Sequence, residues 1–376
     1  MGGLHETIPL AKHDILPEDV AAVVDVLNSD RLSLGPKTEA FEHALAEAVG
    51  VRHAVAMNSG TSALHLLVRA FGIGPGDEVV TTPFSFIAST NCILFERATP
   101  VFVDIEPETL CIDPGLIERA ITPRTKAILA VDAFGHPADL PAIQAIARRH
   151  GLRLIEDSAE ALGSRLGGRA CGAFGDAGIF GFYPNKQVVT GEGGAIVTDD
   201  AETAALCRSM ADQGRGDGGW LNHVRLGYNF RIDEMSAALG LSQLARLGEI
   251  VSARARVAKR YTEALGDLDE VVLPKVAAGV TMSWFVYVIR LADRFSRDDR
   301  DRVLARLRDA GIGCRDYFTP IHLQPYIAAA LGTRRGQFPV TDRVSDRTIA
   351  LPFYTSLRDA DIERVALALR AAVRGR

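Results

Sequence analysis

The chain has 376 residues, 47% hydrophobic and 24% charged, which gives length for about two domains and the balance of a soluble globular protein. Its net charge of −5, spread without blocks of one sign, argues against nucleic acid or an anionic membrane as the main partner. Residues 1–10 carry no secretory pattern, no apolar run approaches the ~20 residues of a membrane span, and five scattered cysteines form no Cys-x-x-Cys pair, so a cytoplasmic protein with reduced thiols and no metal site is expected.

Pro17-Glu18-Asp19 ahead of Val20, Val23, Val24 and Leu27 at helical spacing predicts a helix over 16–27. A second runs from about 37 to 49 and stops at Gly50. From there short apolar runs alternate with helical stretches. Strands are expected at 53–57, 78–81, 99–103, 127–131 and 152–155, and helices up to 71 and over 84–95 and 140–150. This is the pattern of an α/β fold with a mostly parallel sheet flanked by helices, whose ligands gather beyond the carboxyl ends of the strands. Residues 212–225 read as a mobile, glycine-rich loop. Gly214, Gly216 and Gly219 fit the dinucleotide spacing, but a helix rather than a strand precedes them. One long helix is expected from Asp233 to about 265. The large domain covers residues 1–248, with the first dozen residues packing on the other domain. Residues 249–376 form a smaller α+β domain with a strand at 283–291 and helices at 300–310 and 359–373.

Several small patterns sit just past expected strands. The run Ile179-Phe180-Gly181-Phe182-Tyr183-Pro184-Asn185-Lys186 ends in a lysine, with Gly191-Glu192-Gly193-Gly194 behind it. A lysine delivered this way to a pocket can keep a depressed pKa and form a Schiff base with an aldehyde. A surface lysine at a strand end would look the same. Ser59-Gly60-Thr61-Ser62 offers N–H groups, hydroxyls and the positive end of a helix to a phosphate, or simply caps that helix. Asp157 suits a protonated ring nitrogen, a metal or solvent. An aromatic in Pro83-Phe84-Ser85-Phe86 stacks on a flat ring or belongs to the core. Together these features fit pyridoxal phosphate (PLP) far better than any one of them does.

On these residues the chain resembles the sugar-nucleotide aminotransferases of the DegT–StrS group, within the fold-type I, aspartate aminotransferase-like PLP enzymes. The likeness covers nearly the whole chain and also runs through Ile8-Pro9-Leu10, Gly76-Asp77-Glu78-Val79, Glu156-Asp157-Ser158-Ala159-Glu160, Gly227-Tyr228-Asn229-Phe230-Arg231 and Pro320-Ile321-His322. It implies that Lys186 holds PLP, Asp157 pairs with the pyridine nitrogen, Phe86 stacks on the ring, and Gly60, Thr61 and Ser62 hold the phosphate. It implies too that Asn229 reaches the phosphate bound by a second subunit, so that a homodimer shares its active sites. Two positions depart from the group. Gly181 stands where a serine often contacts the phosphate. Glu160 stands where glutamine or histidine often meets the ring's 3-oxygen, and a glutamate there needs a proton or an altered hydrogen-bond pattern.

The implied reaction moves an amino group from glutamate, through the pyridoxamine form, to a keto-sugar on a nucleotide, expected to be a 4-keto-6-deoxyhexose. The product is an amino sugar for surface polysaccharide, glycoconjugate or natural-product biosynthesis. Arg215, Trp220, His223 and Arg225 of the glycine-rich loop suit a nucleotide diphosphate or face solvent. Tyr183, Arg231 and His322 are the other candidates for the substrate. A 3-keto-sugar or keto-cyclitol is the alternative substrate. A PLP-dependent sugar dehydratase, which the lysine argues against, and a non-catalytic regulator are the alternative functions.

Overall fold

The computed structural model describes residues 7–219 and 221–375. Its centre is a seven-stranded sheet of β1 (His53–Met57), β2 (Glu78–Thr81), β3 (Thr99–Phe102), β4 (Thr125–Val131), β5 (Arg153–Asp157), β8 (Ala177–Gly181) and β9 (Gly194–Thr198). The strand order is β1-β9-β8-β5-β4-β2-β3. The pairs from β8 through β5, β4 and β2 to β3 are parallel, whereas β9 runs antiparallel to both its neighbours. Buried parallel strands need apolar side chains on both faces. Accordingly Val79 and Leu129 enter one core while Val80 and Ile128, one residue along, enter the core on the opposite face.

The flanking helices are α1 (Pro17–Leu27), α2 (Pro36–Val49), α3 (Gly60–Ala70), α4 (Ala88–Phe95), α5 (Pro114–Ala120), α6 (Leu140–His150), α7 (Ala201–Ala211) and α8 (Glu234–Ala245). Gly50 and Gly151 end α2 and α6 in the left-handed conformation that suits glycine at a helix end. Two expectations are corrected. The helix expected over 84–95 starts only at Ala88, so residues 83–87 stay extended or turned beside the cavity described below. The single long helix from Asp233 breaks at Arg246 and resumes as α9 (Leu247–Leu265). Arg246 turns there to meet Asp14 at 3.1 Å and the buried Asp19 at 3.0 Å. That tertiary ion pair outweighs helix propensity.

The C-terminal part has its own core, in which Tyr261, Tyr287, Leu307, Ile349 and Leu369 meet Ile8 from the other end of the chain. Its sheet is β10 (Val271–Val272), β12 (Tyr287–Leu291) and β13 (Thr348–Leu351), with β12 between the other two. Helices α10 (Arg297–Asp309), α11 (Pro325–Leu331), α12 (Pro339–Ser345) and α13 (Asp359–Val373) complete it. A third, small sheet joins the two parts: the hairpin of β6 (Arg165–Leu166) and β7 (Arg169–Ala170) pairs with β11 (Val280–Thr281). Among the described residues no helix is long and apolar enough to cross a membrane.

Candidate active site

A cavity of about 610 Å³ opens beyond the carboxyl ends of β5 and β8 and the N-terminus of α3. Lys186 enters it from the loop between β8 and β9. Phe182 anchors that loop, fully buried and edge-on to Phe41 at 5.2 Å. The Gln187 side-chain amide donates to the carbonyl of Glu160 (2.7 Å) and to the hydroxyl of Ser283 (2.8 Å). With both flanks fixed, Lys186 Nζ lies 3.6 Å from Glu160 Oε1 and 4.0 Å from the centre of the Phe285 ring. Burial pushes the amine below the usual lysine range, against the pull of the Glu160 and Asp157 carboxylates. A lysine so placed is a nucleophile and a proton carrier.

Asp157 closes β5. Its Oδ2 accepts a 2.7 Å hydrogen bond from the Ser89 hydroxyl, and its Oδ1 a longer one (3.3 Å) from the Ala159 N–H. Ser89 lies 2.7 Å from the Ser85 hydroxyl, which lines the cavity. Burial raises the Asp157 pKa, and Ser89, Ala159 and Lys186 oppose the rise. Glu160 is likewise pushed up by burial, with Lys186 the main opposing influence. Its Oε2 accepts from the Phe134 N–H at 2.8 Å, which leaves Oε1 toward Lys186. Phe86 presents an exposed ring on the cavity wall.

Ser59 caps α3: its hydroxyl accepts from the Ser62 N–H at 3.0 Å. The capping reading of this turn therefore holds for Ser59. Gly60 and Thr61 line the cavity, whereas the Ser62 hydroxyl donates to Asn58 at 2.7 Å. The cradle sits tightly on β9, because a Cβ on Gly194 would stand 2.3 Å from the Gly60 nitrogen. At Gly181 a Cβ would meet nothing nearer than 3.5 Å, so the missing serine reflects no lack of room.

These residues fit pyridoxal phosphate. Lys186 offers an amine to its aldehyde, Asp157 a carboxylate to its ring nitrogen, Phe86 a plate to its ring, and the α3 N-terminus N–H groups to its phosphate.

The remaining expected residues divide. Tyr183 lines the cavity. Asn229, exposed, is bridged to Asp212 through the backbone, and Arg231 and Arg215 pair with the Asp212 carboxylate at 2.6 and 3.2 Å. His223 Nδ1 lies 2.9 Å from the Gln213 carbonyl. None of these four lines the cavity of its own chain. Trp220 falls outside the described residues. His322 is a correction: it is wholly buried, 3.2 Å from the Asp342 carboxylate and edge-on to Phe338, rather than facing the cavity. Tyr317 and Phe318 line the cavity instead, together with Phe285.

Sequence reasoning missed those three aromatics and Ser89. For Ser89 a signal existed: Ser85 and Ser89 are one helical turn apart just past a strand. For the aromatics there was none, because they arrive from the C-terminal part.

Likenesses to known proteins run over nearly the whole chain. The DegT/DnrJ/EryC1/StrS aminotransferase family matches residues 13–370. A spore coat polysaccharide biosynthesis protein, SpsC, of Bacillus subtilis is 39% identical over 369 residues, covering 95% of each chain. A GDP-perosamine synthase of Caulobacter vibrioides is 40% identical over 338 residues, covering 90% of each. The solved structure of DesV from S. venezuelae, in complex with a ketimine intermediate, has a TM-score of 0.88 and 37% identity, covering 94% of this chain and 93% of that one.

Proposed function

We propose, from the premise that this chain belongs to the DegT/DnrJ/EryC1/StrS aminotransferase family, that it transfers an amino group from glutamate to a nucleotide-linked 4-keto-6-deoxyhexose. The family makes it a PLP-dependent sugar aminotransferase. The observation that carries the reading is the shared cavity of Lys186, Asp157, Glu160 and Phe86. A relative named for a GDP-linked sugar supports the nucleotide, and another named for spore coat polysaccharide supports the destination.

Bound in this cavity, PLP supplies an aldehyde for amines and a ring that withdraws electrons from the carbon being deprotonated. The chain supplies the rest. Lys186 Nζ, its pKa lowered by burial, would take a proton from the donor's α-carbon in the first half of the reaction and deliver one to the sugar's former keto carbon in the second. Asp157 stays anionic when a protonated ring nitrogen faces it, because that cation offsets the burial that otherwise raises its pKa. Ser89 orients its carboxylate. Glu160 keeps Oε1, the oxygen left open by the Phe134 N–H, toward the Lys186 amine 3.6 Å away. Tyr317, Phe318 and Phe285 exclude water from the proton transfer.

In the same reading Asn229, Arg215, Trp220, His223 and Arg231 serve a second copy of the chain. The support is that the four described ones stand outside their own cavity. Exposed Val20, Val24 and Leu27 on α1, Leu221 within the loop and Leu226 just after it offer apolar surface for that copy.

The test is spectroscopic. Yellow holoenzyme mixed with glutamate should bleach to the pyridoxamine form, and Lys186→Ala should lose both the yellow band and turnover. A Lys186→Ala protein that kept both would sink the assignment. Titrating the holoenzyme with 4-amino and 3-amino sugars on UDP, GDP and dTDP reads the substrate. A spectral response confined to 3-amino sugars would replace the 4-keto reading.

A further inference from the structure

Arg254, on the inner face of α9, is almost wholly buried, yet no carboxylate faces it within ion-pair distance among the described residues. Its guanidinium is spent on backbone carbonyls instead. Nη2 donates to the carbonyl of Lys186 at 3.0 Å, and Nη1 to those of Trp284 (3.2 Å) and Phe285 (3.1 Å). The two segments so joined are 98 residues apart and carry the two halves of one contact, the Lys186 amine and the Phe285 ring 4.0 Å from it. Trp284 holds a positive φ of 56°, uncommon for a bulky side chain, so the turn that aims Phe285 needs support from outside. A planar fork with five fixed donors spans separate carbonyls in a way that a single ammonium does not.

We propose that Arg254 is a positioning residue for transamination: it holds the Lys186 backbone and its Phe285 plate in one frame, and so sets where the lysine amine can carry its proton. The assignment rests on Lys186 as the proton carrier. The charged side chains around that amine are Glu160 and Asp157, which favour its protonation, and Arg254, which disfavours it. Burial pushes Arg254 itself down to about 10, against the pull of Asp14, still charged at neutral pH.

The holoenzyme variants Arg254→Met and Arg254→Lys test this against wild type. Arg254→Met should lower kcat per bound cofactor by about 10²-fold with KM for both substrates little changed, as expected when a reacting group shifts by about 1 Å. It should also raise the midpoint of the pH titration of the yellow band, because a fixed positive charge has gone. Arg254→Lys keeps the charge and loses the fork, so kcat should fall about tenfold with the midpoint in place. If Arg254→Met fails to fold, the lysine variant decides alone. Wild-type turnover per bound cofactor in Arg254→Lys, or an unmoved midpoint in a folded Arg254→Met, would overturn the proposal. Lys186→Ala, run in parallel, separates this from failure of the lysine assignment, since only that failure leaves its yellow band and turnover intact.

Discussion

Glu156 and Asp157 are consecutive residues of β5, both buried carboxylates, and they do opposite work. Successive strand residues face opposite sides of a sheet. Glu156 points away from the cavity, where its two oxygens accept the N–H groups of Gly172 and Gly175. Asp157 points into the cavity, held by one hydroxyl and one long backbone contact. Burial raises both pKa values, that of Glu156 to about 8. A perturbed carboxylate is therefore no sign of chemistry by itself. What differs is saturation: the backbone fully occupies Glu156, whereas Asp157 keeps acceptor capacity toward open space and a lysine nearby.

The contrast breaks most visibly at Asp157. Asp157→Asn should cost about 10²–10³-fold in kcat with thermal stability near wild type, the scale of losing one preorganised electrostatic group; steady-state rates and a melting curve read it together. Glu156→Ala should do the reverse. It strands two buried N–H groups at about 1–3 kcal/mol each, while kcat of the folded fraction stays near wild type. Unfolding titrations at several pH values sharpen the point. The folded state holds the Glu156 proton up to about pH 8, whereas an unfolded glutamate releases it near 4.3. Stability should then fall as pH rises across that window, and the slope should flatten in Glu156→Ala. Asp132, pushed up to about 6 on the same side of the sheet, adds to the slope at its acid end.

Ser89→Ala is a smaller probe. Removing a hydrogen bond to a charged acceptor costs about 1.5–3 kcal/mol, so kcat should fall by about 10–10²-fold, and the pH optimum should move because Asp157 loses a group that holds its pKa down. An unchanged rate would mean that Ser89 is merely neighbouring. The smallest effect is expected at Gly181→Ser. The added Cβ would sit 3.5 Å from that of Ala159 and 3.9 Å from Lys186 Cε, and a hydroxyl at the phosphate end should tighten cofactor retention by about 0.5–1.5 kcal/mol, read by cofactor titration. Weaker retention would show that the cavity is shaped around the glycine.

How far the sequence reveals this follows from the range of the forces involved. Strands β1 and β2 and helices α3 and α6 fall where their apolar runs and end glycines put them, because local patterning decides them. Lys186, Asp157, Gly60, Thr61, Phe86, Glu160 and Tyr183 line one cavity as expected, since each follows directly from a strand or helix end. The misreadings lie where distant residues decide. The break at Arg246 depends on Asp14 and Asp19, more than 220 residues away. His322 depends on Asp342 of α12 and on Phe338 just before that helix. Arg254 looks in sequence like any arginine of an amphipathic helix, and only the carbonyls that surround it mark it out.

The return of β9 beside β8 has a consequence for how the site assembles. Lys186 lies in a link of twelve residues between two adjacent antiparallel strands, so closing its loop costs little chain entropy. The cavity-lining turn at Gly60 and Thr61 comes from more than a hundred residues upstream and the Phe285 ring from nearly a hundred downstream. The reactive amine thus belongs to a local hairpin able to order early, whereas the surroundings that tune it require the long-range contacts of the finished fold. During refolding, the lysine should become structured before it becomes selective for its cofactor.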